Sequence, residues 1–325
     1  MGPRGVESGS KKIISPGGQL DTFKLRLYIV NCCFGCCSLL VLLEVITTHI
    51  TPHSHTVIMH AQPTLLEIPP EIRTIIYSYL LDTGGDHLIE IGSQWPPKLS
   101  PTTARSCYYV EGPSFSRGVA KTTYHRQNSS SLIHPAIVAV NRKLRNEASH
   151  YLYSRHAFTF ERGAEAVTPF LSDLTPLTKM TLKEITLRKF VPGSIRDPTG
   201  IVWGSMCKSM QSIGQLKKLR IIIEGRKPLV PWTGPQSFAP SDMKLLYSTR
   251  HDCLDWVRDL AAVKGVEEIE ILTDLKPTGE PDSSHTLVIA ALSASLGEPL
   301  AEFLEEELGV PVKVGGAVEA GPLGY

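Results

Sequence analysis

With 33 basic side chains against 32 acidic ones in 325 residues, the net charge of +1 gives no electrostatic footprint for nucleic acid or for an anionic membrane surface. A hydrophobic fraction of 42% belongs to a folded chain rather than a disordered one, long enough for one large domain or two smaller ones. Seven cysteines, four of them crowded into Cys32, Cys33, Cys36 and Cys37 and the rest scattered at Cys107, Cys207 and Cys253, do not make a disulfide framework and point to a reducing compartment.

First in chain order comes Leu27–Leu43, an uncharged apolar run with Lys11, Lys12, Lys24 and Arg26 before it and Glu44 after it. Its length is close to that of the shortest membrane-spanning helix, about 17 residues. Three readings compete: a signal anchor with its basic flank inside, a segment palmitoylated on its paired cysteines, or an extension outside the mature protein, with translation starting at Met59. The third is expected for residues 1–58, so a membrane is a partner only if residues 27–43 are translated and inserted. Cys33 and Cys36 have zinc-like spacing but no second ligand pair, and read as small apolar residues. His49, His53 and His55 have only Glu44 near them and read as a solvated linker. Neither a metal nor a cofactor is expected.

Residues 65–81, LLEIPPEIRTIIYSYLL, form the most informative stretch. Ile72, Ile75, Ile76, Tyr79 and Leu80 fall at i, i+3, i+4, i+7 and i+8, one face of an α-helix. Pro69 and Pro70 suit the first turn, where a missing N–H costs nothing, and Glu71 complements the positive end of the helix dipole. Residues 82–131 then read as a long polar insert with two short strands, His87–Ile91 and Cys107–Glu111. Asn128-Ser129-Ser130 within it is a glycosylation acceptor only if the chain is exported.

His134–Tyr153 reads as a second helix with Pro135 at its start and an apolar stripe of Ile137, Val140, Leu144, Ala148 and Leu152. Arg142, Lys143, Arg145 and Glu147 lie off the stripe. They read as a solvated face helped by a Lys143/Glu147 pair at i, i+4, not as a nucleic-acid contact. A strand carrying Phe158 and Phe160 follows.

Together, P-x-E-I-R-x-x-I-Y from Pro69 to Tyr77 and the later Asn141-Arg142, Glu147-Ala148, Leu152-Tyr153, Phe158-x-Phe160 resemble the fungal F-box-like domain-containing proteins, a group of mostly unknown function. The resemblance covers residues 64–160, interrupted by the insert at 82–131. It implies an intracellular location, in the cytoplasm or nucleus, which agrees with leaving residues 1–58 out of the mature protein. If the unit acts as an F-box, the resemblance implies that its first helix docks into the adaptor subunit of a cullin-type ubiquitin ligase through Pro69, Ile72, Ile76 and Leu80, by helix-in-groove recognition. The remainder would hold an unidentified target protein. Helix 134–153 offers a competing use of the same face, since it can pack on 69–81 and bury it.

Beyond Phe160 a weak echo recurs: Leu182-x-x-Ile185-x-Leu187, Leu216-x-x-Leu219-x-Ile221 and Val266-x-x-Ile269-x-Ile271. Each contains a strand (Glu184–Arg188, Leu219–Ile223, Glu268–Leu272), and helices precede the second and third, Val202–Ile213 with Met206, Met210 and Ile213, and Asp252–Val263 with Cys253, Val257, Leu260 and Ala261. Helix-then-strand units build a parallel sheet backed by helices. The spacings, 182 to 216 and 216 to 266, exceed the about 20–29 residues of leucine-rich repeats. An irregular leucine-rich-repeat-like α/β layer is therefore expected over 161–314, closed by a helix Pro299–Leu308 and a strand Val310–Val314, with a tail at 315–325. Lys227–Pro240, with Trp232 and Phe238, reads as a loop.

No phosphate-binding glycine loop, His-Glu-x-x-His or Gly-x-Ser-x-Gly occurs, and His251-Asp252 reads as a helix start with Asp252 as cap. The expectation is therefore a mixed α/β (α+β) protein, a helical F-box-like N-terminal unit packed on the α/β layer. Its function is that of a protein-interaction module rather than an enzyme. The alternatives are a structural or scaffolding module with no ligase link and a single-span membrane-anchored protein.

Overall fold

The computed structural model describes residues 12–14, 20–30, 40–47, 64–82, 88–93, 108–111, 119–122, 124–126, 133–161, 164–191, 199–214 and 216–316. The elements begin with β1 (Lys12–Ile14), β2 (Leu20–Val30), β3 (Leu40–Thr47), α1 (Pro70–Leu81), β4 (Leu88–Ser93), β5 (Tyr108–Glu111), β6 (Val119–Thr122) and β7 (Tyr124–Arg126). A 3-10 turn (Pro135–Ala139), α2 (Arg142–Arg155), β8 (Ala157–Phe160), α3 (Val167–Asp173), α4 (Pro176–Lys179), β9 (Glu184–Phe190), α5 (Thr199–Met210) and β10 (Leu216–Pro228) follow. The chain ends with α6 (Pro240–Ser248), α7 (Asp255–Ala261), β11 (Val266–Thr278), α8 (Ser284–Ala294), α9 (Glu298–Leu308) and β12 (Val312–Val314). It divides into two units, Met1–Asp82 with Leu132–Tyr151, and Thr83–Ser131 with Leu152–Tyr325. The division falls inside α2, not after the Phe158-x-Phe160 strand where the resemblance ends.

In the first unit the apolar run at 27–43 is not one helix. Leu27–Val30 belongs to β2 and Leu40–Leu43 to β3, which pair antiparallel with Leu27 opposite Leu43. The physical reason lies upstream: Phe23, Leu25, Leu27 and Ile29 alternate with Lys24, Arg26 and Tyr28, a period of two that suits a strand. Among the described residues no single helix is long and apolar enough to cross a membrane. Cys33 and Cys36, the histidines at 49, 53 and 55, and Asn128 lie outside the described residues.

Helix α1 starts where the prolines place it, with Pro69 as cap and Pro70 at its first position. Its buried side holds Arg73, Ile76, Tyr77, Leu80 and Leu81. The N–H of His134 donates to the carbonyl of Leu80 at 2.7 Å, and Ile137 of the 3-10 turn is fully buried. The expected single helix over 134–153 is broken. The 3-10 turn ends at Ala139 and α2 begins at Arg142, with the Asn141 side chain accepting from the N–H of Leu144 at 2.9 Å as its cap. Leu144, Ala148 and Leu152 of the expected stripe are buried, whereas Val140, caught in the break, is 50% exposed.

The second unit is built on a sheet ordered β12-β11-β10-β9-β8-β4-β7, parallel throughout except for β7 at its edge. From β4 to β12 the six parallel strands follow chain order. Crossovers that always step the same way and keep one hand place their connecting helices on one face of a parallel sheet. Across that face runs an in-register row, Ile89, Phe158, Ile185, Leu219, Ile269 and Val312, followed by Phe160, Leu187, Ile221 and Ile271. The L-x-x-L-x-L echo is thus a ladder of aligned apolar side chains, and the F-x-F strand is one rung of it. Phe158 and Phe160 pack on Phe170 of α3, with ring centroids 5.2 and 5.4 Å apart.

Helices α5 and α7 seal the middle of this face. Trp203 and Trp256 cross edge to face at 5.9 Å, and Trp203 Nε1 donates to the Trp256 carbonyl at 3.1 Å. Met206, Met210 and Ile213 are buried as expected. The helix expected from Asp252 is a 3-10 turn, Asp252–Leu254, running into α7, and its cap is His251, whose ring accepts from the N–H of Cys253. Four helices have no counterpart among the elements expected from the sequence: α3, α4, α6 and α8.

Candidate interaction sites

Four side chains of the first helix were marked for partner docking, and the structure separates them. Ile76 and Leu80 are 1% and 2% exposed, Ile72 is half-buried, and Pro69 is exposed. What α1 offers on its outer side is Ile75, 49% exposed, and Tyr79, 63% exposed. Ile72, Ile75 and Tyr79 stand at i, i+3 and i+7, a narrow apolar stripe beside the buried one.

The residue that organises this unit is Glu147. Its Oε2 accepts from Arg73 Nε at 2.8 Å and from Tyr77 OH at 2.9 Å, and its Oε1 accepts from Arg73 Nη2 at 2.8 Å. The third nitrogen of the same guanidinium, Nη1, donates to the carbonyl of Ile68 and closes the chain just before α1 onto the helix. Arg73 is 3% exposed, so nearly all its donors are satisfied by protein. The hydrogen bonds from Arg73 hold the Glu147 carboxyl below the usual range, against the opposing effect of burial and with help from Tyr77. Burial raises the Tyr77 hydroxyl, and its bond to Glu147 raises it further. The carboxylate points inward to α1, and the expected partner Lys143 adds only a smaller charge contribution to it. Tyr77 also meets the Tyr151 ring, with centroids 6.5 Å apart.

Arg73 and Tyr77 sit at i, i+4 on the buried side of α1, and Glu147 stands in the second quoted segment. A charged residue inside an apolar stripe was the available signal, since such a residue needs a partner.

In the second unit the polar face of the sheet is the other ordered surface. Glu90, Thr159, Thr186, Arg220, Glu270 and Lys313 form one row across six strands. Lys218 reaches Glu270 at 2.8 Å, Arg220 reaches Glu270 at 2.5 Å and also pairs with Glu184, and Lys313 pairs with Glu268. One turn of pleat further on, Arg188 bridges Asp274 at 2.5 Å, Glu161 at 3.2 Å and Glu224 at 3.3 Å, while Lys276 holds the other oxygen of Asp274 at 2.9 Å. Burial alone would raise the Asp274 carboxyl, but the hydrogen bonds from Lys276 and Arg188 outweigh it and hold it below its ordinary range. Each of these cations has a carboxylate partner, which presents a patterned surface of paired charges.

A buried lysine and an open cleft are further features of the unit. Lys189, 1% exposed, lies 5.6 Å from the centroid of the Trp203 ring, near Cys207 and Asp259, and the void beside it is about 10 Å³. A cleft of about 230 Å³ opens at the carboxyl ends of β10 and β11, lined by Arg226, Thr278, Glu280, Asp282 and Thr286. It is smaller than the roughly 300–1,000 Å³ of small-molecule pockets. Among the described residues no group of three or more His, Cys, Asp or Glu could hold a metal ion. Comparison with known proteins finds no matching family model, no matching curated protein and no matching solved structure.

Proposed function

We propose that the chain is a protein-interaction module of the F-box-like kind, acting as the substrate receptor of a cullin-type ubiquitin ligase in the cytoplasm or nucleus. The observation that supports this reading is the Arg73–Glu147–Tyr77 contact, which makes one helical unit of the two segments on which the resemblance rests. Pro69 and Ile72 would remain available to the adaptor, joined by Ile75 and Tyr79 in a helix-in-groove contact, while Ile76 and Leu80 support them from the core. The polar sheet face, with its fixed pattern of paired charges, would recognise the target protein.

The burial of Ile76 and Leu80 equally favours a second reading, a scaffolding module with no ligase link. A pulldown of the purified adaptor with the full chain, beside an Ile75→Asp/Tyr79→Asp variant of unchanged circular dichroism, separates the two. Capture by the parent and its loss in the variant support the receptor. A folded parent that captures nothing leaves the scaffold.

A further inference from the structure

We propose that two copies of this chain pair through the outer edge of β11, antiparallel, about a two-fold axis at Leu275. The strand outruns its neighbour: β12 pairs only with Ile269, Glu270 and Ile271. The N–H of Ile269 donates to the Pro311 carbonyl and the carbonyl of Ile271 accepts from Gly315, so the odd-numbered residues of β11 turn their backbone groups outward. Thr273, Leu275 and Pro277 continue that edge. Among the described residues nothing pairs with the outer groups of Thr273 or Leu275. Pro277 has no N–H to lose, as an edge position requires. An open edge of this kind is a template for another strand.

The sequence of the edge, Thr273-Asp274-Leu275-Lys276-Pro277, is complementary to itself when reversed. Centred on Leu275, the antiparallel register sets Leu275 against Leu275, Asp274 against Lys276 of the second copy on both sides of the axis, and Thr273 against Pro277. Leu275 is 39% exposed on the helix-covered face and would be covered by its counterpart. Asp274 and Lys276, already 2.9 Å apart on the polar face, would alternate with the same pair from the second copy. Four backbone hydrogen bonds result: Leu275 N–H to Leu275 carbonyl, and Thr273 N–H to Pro277 carbonyl, each twice.

Other registers fail. Centring on Asp274 or Lys276 puts like charges directly opposite, which destabilises a cross-strand pair. Centring on Thr273 runs the second strand into β12, and centring on Pro277 removes the central donors. The contact is isologous and closed, so it stops at a dimer.

Sedimentation velocity of the full chain over a concentration series tests this. The parent is expected to shift from one to two copies as concentration rises. Leu275→Pro deletes the central donors at a position whose N–H serves no bond within the chain, and should remain monomeric where the parent is dimeric. A parent that stays monomeric, or a Leu275→Pro variant that dimerises like the parent, overturns the proposal. Leu275→Cys provides a test that does not need the proline variant to fold. On the axis the two Cα atoms would be about 5.5 Å apart, within disulfide reach. Mild oxidation should give a homodisulfide through the introduced thiol, read by peptide mapping, and its absence from a folded variant overturns the register.

Discussion

Arg73 and Glu147 stand 74 positions apart in the chain and meet in a two-point contact, both hydrogen bonds 2.8 Å long. The fork of the guanidinium matches the carboxylate, so a lysine at 73 could not reproduce the geometry. Tyr77, one helical turn on, supplies a third donor. The segment between α1 and α2 is no free loop, since β4 within it pairs with β8 in the sheet of the second unit.

The contact should rank its members by what each deletion leaves behind. Tyr77→Phe removes one hydrogen bond to a charged acceptor that keeps its other partners, at about 1–2 kcal/mol. Glu147→Ala strands a guanidinium that has no water to turn to, and its loss should exceed that of Tyr77→Phe. Urea denaturation of both variants checks the order. Equal losses would mean that Arg73 finds another partner.

Acidification should weaken the fold through the same group. The Glu147 carboxyl titrates lower folded than unfolded, so its contribution is fully present above its ordinary value of 4.5 and is lost as pH falls through the depressed folded value. Asp274 acts in the same sense below its ordinary 3.8. Asp259 runs the other way: burial first, then the neighbouring Asp255, raises it despite Lys189, so its charged form costs stability at neutral pH and acid relieves that cost. Chemical denaturation at pH 7, 5 and 3.5 should show stability falling below about pH 4.5. Glu147→Gln should start lower and fall less steeply. A variant with the parent's acid dependence would show that Glu147 is not the group responsible.

The ladder of the second unit was legible because apolar positions two apart recur in its strands. Ile185 and Leu187, Leu219 and Ile221, Ile269 and Ile271 repeat a spacing that only a strand can use. Helix α1 was legible for the complementary reason, since one side of it is wet. Helix α8 was not. Ile289, Ala290, Ala291, Leu292 and Ser293 are buried one after another, and a stretch covered on every side has no polar face to set a period. A hydrophobic stripe says that a face is covered without saying by what, and of the four residues marked on α1 the structure buries Ile76 and Leu80. The i, i+4 spacing pointed Glu147 to Lys143 on its own helix, whereas its hydrogen-bond partners lie on another.

Gly225 shows the packing limit of the sheet–helix interface. It lies on the covered face of β10, and a methyl group there would stand 2.8 Å from Leu275 Cδ2, 2.8 Å from Leu296 Cδ1 and 3.0 Å from Ser293 Oγ. Ser293 is itself engaged, accepting from the N–H of Arg226 at 2.9 Å. Gly225→Ala should therefore cost about 1–3 kcal/mol, although alanine otherwise suits a strand better than glycine does. Thermal denaturation of the single variant and of Gly225→Ala with Leu296→Ala tests the cause. Partial recovery in the double variant identifies overpacking, and no recovery would place the strain in the backbone.

Cys207 and Cys253 invite a different reading, since Cys207 lies near a buried lysine and Cys253 beside His251. The surroundings oppose reactivity. Burial pushes the Cys207 thiol well up, with Asp259 adding to the rise and Lys189 only partly countering it. Burial likewise lifts Cys253 to about 11, although its Sγ lies 3.0 Å from His251 Nδ1. The thiolate is the reacting species, so both residues should resist iodoacetamide at pH 8 in the native chain and react together in urea. Peptide mass mapping after a short pulse reads this directly. Rapid native labelling of Cys207 would mean that α5 opens locally without global unfolding, and that the Trp203–Trp256 contact does not hold it shut.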